Sequence, residues 1–191
     1  MKLSSFLHFA AFGVRTILLR EKKPILGTVI VTDRCNLKCR HCSVHDLTSV
    51  DHPYEQIRRE MELLYHMGVR ILFFCGGETF LWHDGARTVR DLVVEAKKMG
   101  FLLVNVVTNG TFPIDLPEAD LILYYGASEL NYVSYVHGRD MGEDKTLIGR
   151  NFPGIDICLK DGRIHVTTPY GVVGAGADTF VGDYGHWDEN G

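Results

Sequence analysis

The sequence predicts an α/β fold in which parallel strands alternate with helices, as in an open sheet or the beginning of a barrel. The first observation is that short apolar runs alternate with longer segments of helical periodicity. The runs that we interpret as strands lie at 25–32, 69–75, 101–107 and 119–125. The second observation is that Met67-Gly68 and Met99-Gly100 each end a predicted helix, so the unit of strand and helix recurs at a regular interval.

Residues 1–24 are expected to form an amphipathic helix. The side chains expected near one face are Phe6, Phe9, Phe12 or Gly13, and Ile17. A signal peptide is not favoured because Arg15 interrupts the apolar run, which is also too short to cross a bilayer. Two roles stay open for this helix: packing on the domain, or lying on a membrane surface.

The next elements repeat one pattern. Residues 53–67 are expected to form a helix that Gly68 ends. The run 69–75 is apolar except for Arg70, as expected for a strand buried on both faces. A second predicted helix at 86–99 leads to the third strand in the same way.

After the fourth predicted strand the alternation stops, and no clear period marks residues 128–150. Two short runs, 155–160 and 163–168, flank Asp161-Gly162, a dipeptide typical of a two-residue hairpin turn. From Ile164 onward the chain is rich in glycine and acidic side chains and contains no Lys or Arg. We assign no chemistry to this segment.

The composition is that of a soluble globular chain, with 46% hydrophobic and 23% charged residues among 191. The formal net charge of -4 gives no basic excess, so composition indicates no nucleic-acid partner. Three of the five cysteines lie within eight residues, whereas Cys75 and Cys158 stand alone. This pattern does not fit a framework of disulfides and favours a metal site in a reducing cytoplasm.

Cys35, Cys39 and Cys42 follow the first predicted strand, at the end where α/β folds carry their chemistry. Three thiolates in one loop can hold one face of a small metal centre and leave one metal position open. A structural zinc site would need a fourth ligand, for which His41 and His45 are nearest. A ferredoxin-type cluster needs four thiolates in spacings that the chain lacks. We favour an iron–sulfur cluster with one open iron, with structural zinc as the alternative.

Two further motifs follow the next two strands. Gly76-Gly77-Glu78-Thr79 comes after the second strand, and Thr108-Asn109-Gly110 comes after the third. Glycine lets a backbone approach a ligand closely and adopt torsions closed to other residues. The simpler alternative is a tight turn with a surface glutamate. Thr108 and Asn109 either hydrogen-bond a ligand or shape their loop.

Together these motifs resemble the radical S-adenosylmethionine (SAM) enzymes, whose signature C-x3-C-x2-C follows the first barrel strand. In that family a Gly-Gly-Glu motif follows the second strand, and many members have Thr-Asn-Gly after the third. His41 stands where the family usually has an aromatic side chain. The resemblance covers about residues 25–126. It implies an α/β fold that is an incomplete parallel (β/α) barrel of radical SAM type, with an irregular C-terminal segment containing a β-hairpin.

The resemblance implies two cofactors: a [4Fe–4S] cluster held by the three cysteines, and S-adenosyl-L-methionine bound at the open iron. In such enzymes the reduced cluster cleaves SAM to methionine and a 5'-deoxyadenosyl radical, which abstracts hydrogen from a substrate. The electron donor would be a ferredoxin or a flavodoxin. The residues implied to contact SAM are His41, Gly76, Gly77, Glu78, Thr79, Thr108 and Asn109, with Glu78 neutralising the amino group.

The chain departs from the family pattern after residue 126, because the family's core has six βα units and only four strands precede this point. Where members commonly have polar residues that hold ribose, this chain continues Tyr124-Tyr125-Gly126-Ala127, and Ser128 and Glu129 are candidate substitutes. We therefore expect a helix at 1–24, a core at 25–126 and a divergent segment at 127–191. A partner subunit or a second copy would complete the barrel. The alternatives to an enzyme are a non-catalytic iron–sulfur or SAM-binding accessory or electron-transfer protein, and a zinc-stabilised interaction module.

Overall fold

The chain divides into two compact units, residues 1–116 and 117–191. The computed structural model describes residues 3–39, 42, 50–113, 116, 121–127, 130–140, 148–172 and 174–187. The elements of the first unit are α1 (Leu3–Leu18), β1 (Leu26–Thr32), α2 (Tyr54–Met67), β2 (Ile71–Gly76), β3 (His83–Asp84), β4 (Arg87–Thr88), α3 (Val89–Met99) and β5 (Leu103–Val106). Those of the second unit are β6 (Ile122–Ala127), β7 (Asn131–His137), β8 (Arg150–Asn151), β9 (Asp156–Lys160), β10 (Arg163–Thr167) and β11 (Thr179–Tyr184).

The first unit contains a parallel sheet in the order β1-β2-β5, with α2 and α3 as the connections. Val29 pairs with Phe74, which pairs in turn with Val106, so the three strands are in register. The α/β class and three of the predicted parallel strands are therefore confirmed. Because parallel strands end at the same edge, the segments that follow β1, β2 and β5 emerge side by side.

In the part of the first unit that the structure describes, α2 and α3 cover one face of this sheet. The core residues on that face and on the helices are Val29, Val31, Ile57, Met61, Val69, Leu72, Phe74, Trp82, Leu92, Ala96 and Phe101. On the opposite face Leu26 and Ile30 are 50% and 44% exposed, and Leu103 is also exposed. Burial of β2 on both faces, which the sequence predicted, is only half correct: Leu72 and Phe74 are buried but their neighbours are partly exposed. Closure of the strands into a barrel stays a prediction.

Glycines end both connecting helices, as predicted. Gly68 and Gly100 have φ of 107° and 99°, in the left-handed region that glycine adopts without a Cβ clash. The α3 helix begins three residues later than expected, since the chain first forms the short β3–β4 hairpin. The carboxylate of Asp91 accepts a hydrogen bond from the Thr88 N–H at 2.8 Å and fixes that start.

The predicted N-terminal helix is confirmed as α1, but its apolar face differs from the prediction. Phe9 and Phe12 are half-buried, whereas Phe6 and Ile17, expected on the same face, are exposed. Exposed apolar side chains recur with helical periodicity, at Leu3, Phe6, Leu7, Ala10, Val14, Ile17 and Leu18. We call these seven residues the α1 stripe. Within the described residues no helix is long and apolar enough to cross a membrane.

The second unit is antiparallel, and here the sequence prediction was wrong in two respects. The run expected as a fourth parallel strand forms β6, which pairs with β7 in a separate antiparallel sheet. The β7 strand itself was not predicted. The hairpin around Asp161-Gly162 is confirmed as β9–β10, and both turn residues have positive φ, 53° and 74°. The division at residue 116 falls before the core boundary expected at 126 because β6 belongs to the second unit.

Candidate cofactor site

The loop that carries the three cysteines begins at the carboxyl end of β1. Cys35 and Cys42 are half-buried and Cys39 is exposed, and none of the three is in a disulfide. The N–H of Cys42 donates to the carbonyl oxygen of Cys39 at 3.0 Å, so these two cysteines lie close together. The loop therefore starts at the sheet edge where β2 and β5 also end.

Asp51 joins the two ends of this cysteine loop. Its Oδ1 accepts a hydrogen bond from the Thr32 hydroxyl at 2.6 Å, and its Oδ2 accepts one from Nη1 of Arg34 at 2.6 Å. The backbone adds a third link, from the Asp33 N–H to the carbonyl oxygen of Val50 at 2.9 Å. Because Thr32 and Arg34 precede the cysteines and Asp51 follows them, these contacts close the loop at its base.

Gly76 and Gly77 pack directly against the start of the cysteine loop. A Cβ at Gly76 would lie 2.3 Å from the carbonyl oxygen of Thr32, and one at Gly77 would lie 2.2 Å from that of Arg34. Two backbone hydrogen bonds cross the same gap, from Gly77 N–H to Thr32 at 2.9 Å and from Glu78 N–H to Arg34 at 2.7 Å. Neither glycine has a positive φ. Glycine is therefore required here for space rather than for torsion.

Glu78 is fully buried, in contrast to the surface glutamate of the simpler alternative. Its Oε1 accepts hydrogen bonds from the Phe80 N–H at 3.0 Å and from the Thr108 hydroxyl at 2.8 Å. Its Oε2 accepts one from the Asn109 N–H at 2.7 Å. The carboxylate thus ties the segment after β2 to the segment after β5. Burial of a carboxyl group is tolerated when hydrogen bonds replace its water, as they do here.

The two threonines predicted at the site also make internal hydrogen bonds. Thr79 is fully buried, and its hydroxyl donates to the carbonyl oxygen of Val107 at 2.6 Å. The Thr108 oxygen, besides donating to Glu78, accepts from the Gly110 N–H at 3.1 Å. Both side chains shape the loops in which they lie.

Asn109 brings the third loop to the first cysteine. Its Nδ2 lies 3.8 Å from Sγ of Cys35 and 2.9 Å from Oδ1 of Asn36. The backbone N–H of Leu37 lies 3.4 Å from the same sulfur. The structure therefore brings Cys35, Glu78, Thr108 and Asn109 together in one hydrogen-bonded network.

Sequence reasoning missed four residues that contribute to this site: Arg34, Asn36, Asp51 and Thr111. Asn36 Nδ2 donates to the Thr111 hydroxyl at 2.8 Å. The signal available in the sequence was only the presence of polar residues beside the motifs, which does not identify their partners. His41, His45, Ser128 and Glu129 lie outside the described residues.

A cleft of about 300 Å³ lies elsewhere in the first unit, beside α1 and the residues that precede β2. Its lining includes Phe12, Arg15, Tyr65 and Arg70. The cysteine loop lies at the opposite, carboxyl end of the strands, so this cleft is separate from the candidate cofactor site.

The residues at the site fit an iron–sulfur cluster by the chemistry of their donors. Three thiols in one loop are the ligands that such clusters use, and the backbone N–H of Leu37 and the side-chain amide of Asn109 supply the hydrogen bonds that thiolate ligands accept. In the part of the chain that the structure describes, no group of three or more His, Cys, Asp or Glu side chains is placed to hold a single metal ion. The fit therefore rests on the cysteine loop and its hydrogen bonds.

Comparison with known proteins agrees with this donor set. The Radical SAM superfamily model matches residues 29–147. The chain is 39% identical over 92 residues to the antilisterial bacteriocin subtilosin biosynthesis protein AlbA of Bacillus subtilis (strain 168), covering 46% of this chain and 19% of that protein. It is 35% identical over 81 residues to the S-adenosylmethionine-dependent nucleotide dehydratase RSAD2 of Oncorhynchus mykiss, and 33% identical over 81 residues to that of Danio rerio.

Each RSAD2 match covers 42% of this chain, and 23% and 22% of the two relatives. The matched part thus spans about a fifth of the length of these curated proteins. The family match, in contrast, covers more than half of this chain and includes the cysteine loop, Glu78 and Asn109. The chain therefore belongs to the radical SAM superfamily.

Proposed function

We propose that the chain binds a [4Fe–4S] cluster through Cys35, Cys39 and Cys42 and, with SAM at the open iron, starts radical chemistry on a substrate. The observation that carries this proposal is the cysteine loop. It is closed at its base by Asp51 and packed on Gly76 and Gly77 in a chain of the radical SAM superfamily. When bound, the cluster would supply one electron that cleaves SAM to methionine and a 5'-deoxyadenosyl radical.

The residues of the chain have separable tasks in this proposal. The three thiolates bind the cluster, and Asp51 and Arg34 hold their loop against the sheet edge. The close packing of Gly76 and Gly77 sets the position of the loop relative to β2. His41 remains the proposed side chain that covers the cluster or packs on adenine.

The proposed contact between Glu78 and the amino group of SAM has a structural requirement. Both carboxylate oxygens already accept hydrogen bonds from Phe80, Thr108 or Asn109. Glu78 can therefore neutralise a ligand only as an additional acceptor or by exchanging one of these donors. The same requirement applies to the hydroxyls of Thr79 and Thr108.

The substrate is not indicated by the relatives. One is a bacteriocin biosynthesis protein and the others are nucleotide dehydratases, so their names share no substrate class. The exposure of Leu26, Ile30 and Leu103 on one face of the sheet, among the described residues, supports the proposal that a partner subunit or a second copy completes the cavity. Radical chemistry needs such enclosure because water and stray groups would quench the radical.

The test is anaerobic reconstitution with iron and sulfide, followed by dithionite and SAM, with 5'-deoxyadenosine as the measured product. We expect the wild type and a Cys158→Ala control to form it, because Cys158 lies outside the loop. We expect Cys35→Ala, Cys39→Ala and Cys42→Ala to form none and to lose the cluster. A cluster without product would favour the accessory or electron-transfer protein, and a colourless protein with stoichiometric zinc would favour the interaction module.

The cytoplasmic location and the ferredoxin or flavodoxin donor stay predictions. Contact of α1 with a membrane surface also stays a proposal, supported by the exposed α1 stripe and by the exposed cations Arg15, Arg20 and Lys22 beside it. Sedimentation with anionic vesicles tests it. Ile17→Glu should release the protein, whereas Leu63→Glu, a matched change at an exposed leucine of α2, should not. Equal sedimentation of the two variants contradicts the proposal.

A further inference from the structure

We propose that Asn109 tunes the reduction potential of the cluster by donating a side-chain amide hydrogen bond to the Cys35 thiolate. The inference rests on the proposed function, since it concerns the cluster that the loop would bind. It assigns to Asn109 a task that does not involve SAM. Four steps lead to it: the convergence of donors on one sulfur, the orientation of the amide, its anchorage, and the effect of such a bond on a redox centre.

Two N–H donors converge on Sγ of Cys35. The Leu37 N–H belongs to the cysteine loop and lies 3.4 Å from the sulfur, whereas Nδ2 of Asn109 comes from the segment after β5 and lies 3.8 Å away. Cys35 is half-buried, so water competes less for this sulfur than for the exposed Cys39. The sulfur of Cys35 is thus connected to the segment that follows β5.

The orientation of the Asn109 amide is fixed by its neighbours. Oδ1 accepts hydrogen bonds from the Thr111 N–H at 3.0 Å and from the Thr111 hydroxyl at 2.6 Å. Nδ2 donates to Oδ1 of Asn36 at 2.9 Å, and Asn36 Nδ2 donates to the Thr111 hydroxyl, which closes a ring of three side chains. A flipped amide would set its NH2 group against the donors of Thr111. The ring therefore keeps Nδ2, and not Oδ1, directed at Cys35.

The backbone of Asn109 is anchored as firmly as its side chain. Its N–H donates to Oε2 of Glu78 at 2.7 Å, and Glu78 is fully buried. Glu78 is joined to the start of the cysteine loop through its own N–H, which donates to the Arg34 carbonyl oxygen. The distance between Nδ2 and the sulfur is therefore set by a continuous network rather than by a free side chain.

A hydrogen bond to a ligand sulfur favours the reduced cluster. Reduction adds one electron, which raises the negative charge on the cluster and its thiolates. An N–H donor stabilises that more negative state more than the oxidised one, so it shifts the potential upward. Removing the donor should lower the ratio of reduced to oxidised cluster about tenfold at a fixed solution potential, which corresponds to a shift of about 59 mV for a one-electron couple.

The experiment is an anaerobic redox titration of the reconstituted full chain without SAM, with dithionite as the source of electrons and the spectrum of the reduced cluster as the readout. Leaving out SAM ensures that a contact of Asn109 with SAM cannot cause the shift. The variant is Asn109→Ala, and the matched control is Asn105→Ala, which removes a β5 amide that donates to the Leu72 carbonyl oxygen instead. Thr111→Val is a second variant that leaves Asn109 in place but removes the hydroxyl that donates to its Oδ1, so that only the backbone N–H of residue 111 still holds that oxygen.

We expect equal iron and sulfide contents in all four proteins. The potential should be more negative in Asn109→Ala, less shifted in the same direction in Thr111→Val, and unchanged in Asn105→Ala. An Asn109→Ala potential equal to that of the wild type overturns the inference while leaving the proposed function intact. If Asn109→Ala loses its cluster, Thr111→Val decides: a lowered potential supports the inference and an unchanged one overturns it. A wild type that binds no cluster refutes the proposed function itself.

Discussion

Replacing Glu78 by glutamine should destabilise the first unit while preserving the size of the side chain. The three hydrogen bonds that Glu78 accepts come from two sides, because Phe80 and Thr108 donate to Oε1 and Asn109 donates to Oε2. Glutamine has one acceptor oxygen and one NH2 group. Whichever way its amide is turned, the NH2 group faces a backbone N–H, either that of Asn109 or that of Phe80.

One buried N–H therefore loses its acceptor in Glu78→Gln. A buried donor left without a partner costs about 1–3 kcal/mol, and the full burial of Glu78 prevents water from replacing the lost acceptor. We expect the free energy of unfolding to fall by about 2 kcal/mol. The Thr108 hydroxyl can rotate to accept from the new NH2 group, so it does not add to this cost.

Urea unfolding of the metal-free protein measures this change. Trp82 is buried in the core of the first unit, and Trp187 lies in the second unit, so a Trp187→Phe background makes the fluorescence report on the first unit alone. The matched control is Glu60→Gln, at a position where the carboxylate accepts a hydrogen bond from Gln56 on the surface of α2. The control should change stability by less than about 0.5 kcal/mol. A Glu78→Gln protein as stable as the control would refute the reasoning.

Three further predictions concern the same unit. Gly77→Ala should lower the free energy of unfolding by about 1–3 kcal/mol, because the added Cβ would collide with the backbone of the cysteine loop. The control Gly13→Ala should be neutral or stabilising, since an added Cβ there would meet nothing within 4 Å. Equal urea midpoints for the two variants would contradict this. Asp51→Asn should speed the loss of iron to a chelator, since the loop would no longer be closed by an ion pair; an unchanged rate would count against that role. Burial raises the pKa of the Cys75 thiol, so at mildly alkaline pH a smaller fraction of it is thiolate than for an ordinary cysteine. Iodoacetamide should therefore modify Cys75 more slowly than the exposed Cys158, and mass spectrometry can check this order.

The elements of the first unit could be predicted because their signals are local. Apolar periodicity located α2, β2 and β5, and Gly68 and Gly100 marked the helix ends. The predicted strands also placed the motifs that follow them at one edge of the sheet, since parallel strands end at a common edge.

In the second unit, local sequence signals were not sufficient to predict how the strands pair. An apolar run such as β6 looks the same in a parallel and in an antiparallel sheet, and only its long-range pairing with β7 decides between them. The β7 strand was missed because Ser134 interrupts its apolar pattern. Ser134 is nevertheless fully buried and donates to the Ile148 carbonyl oxygen at 2.7 Å.

The same limit applies within the site. The partners of Glu78 and of Cys35 lie about 30 and more than 70 positions away in the chain, at Asn109. From the sequence alone, a glutamate after a strand is interpreted as a surface residue, because the groups that donate hydrogen bonds to it are not known. The sequence therefore indicates which residues carry the chemistry but not the network that fixes them.

The central claim is that three thiolates of one loop hold a cluster whose remaining iron is open to SAM. The most direct measurement is electron–nuclear double resonance on the reduced, reconstituted protein with SAM labelled isotopically at its amino nitrogen. The account predicts hyperfine coupling between the cluster and that nitrogen, lost when SAM is omitted. A reduced cluster that shows no such coupling, with side chains of this chain bound to all of its irons, would contradict it.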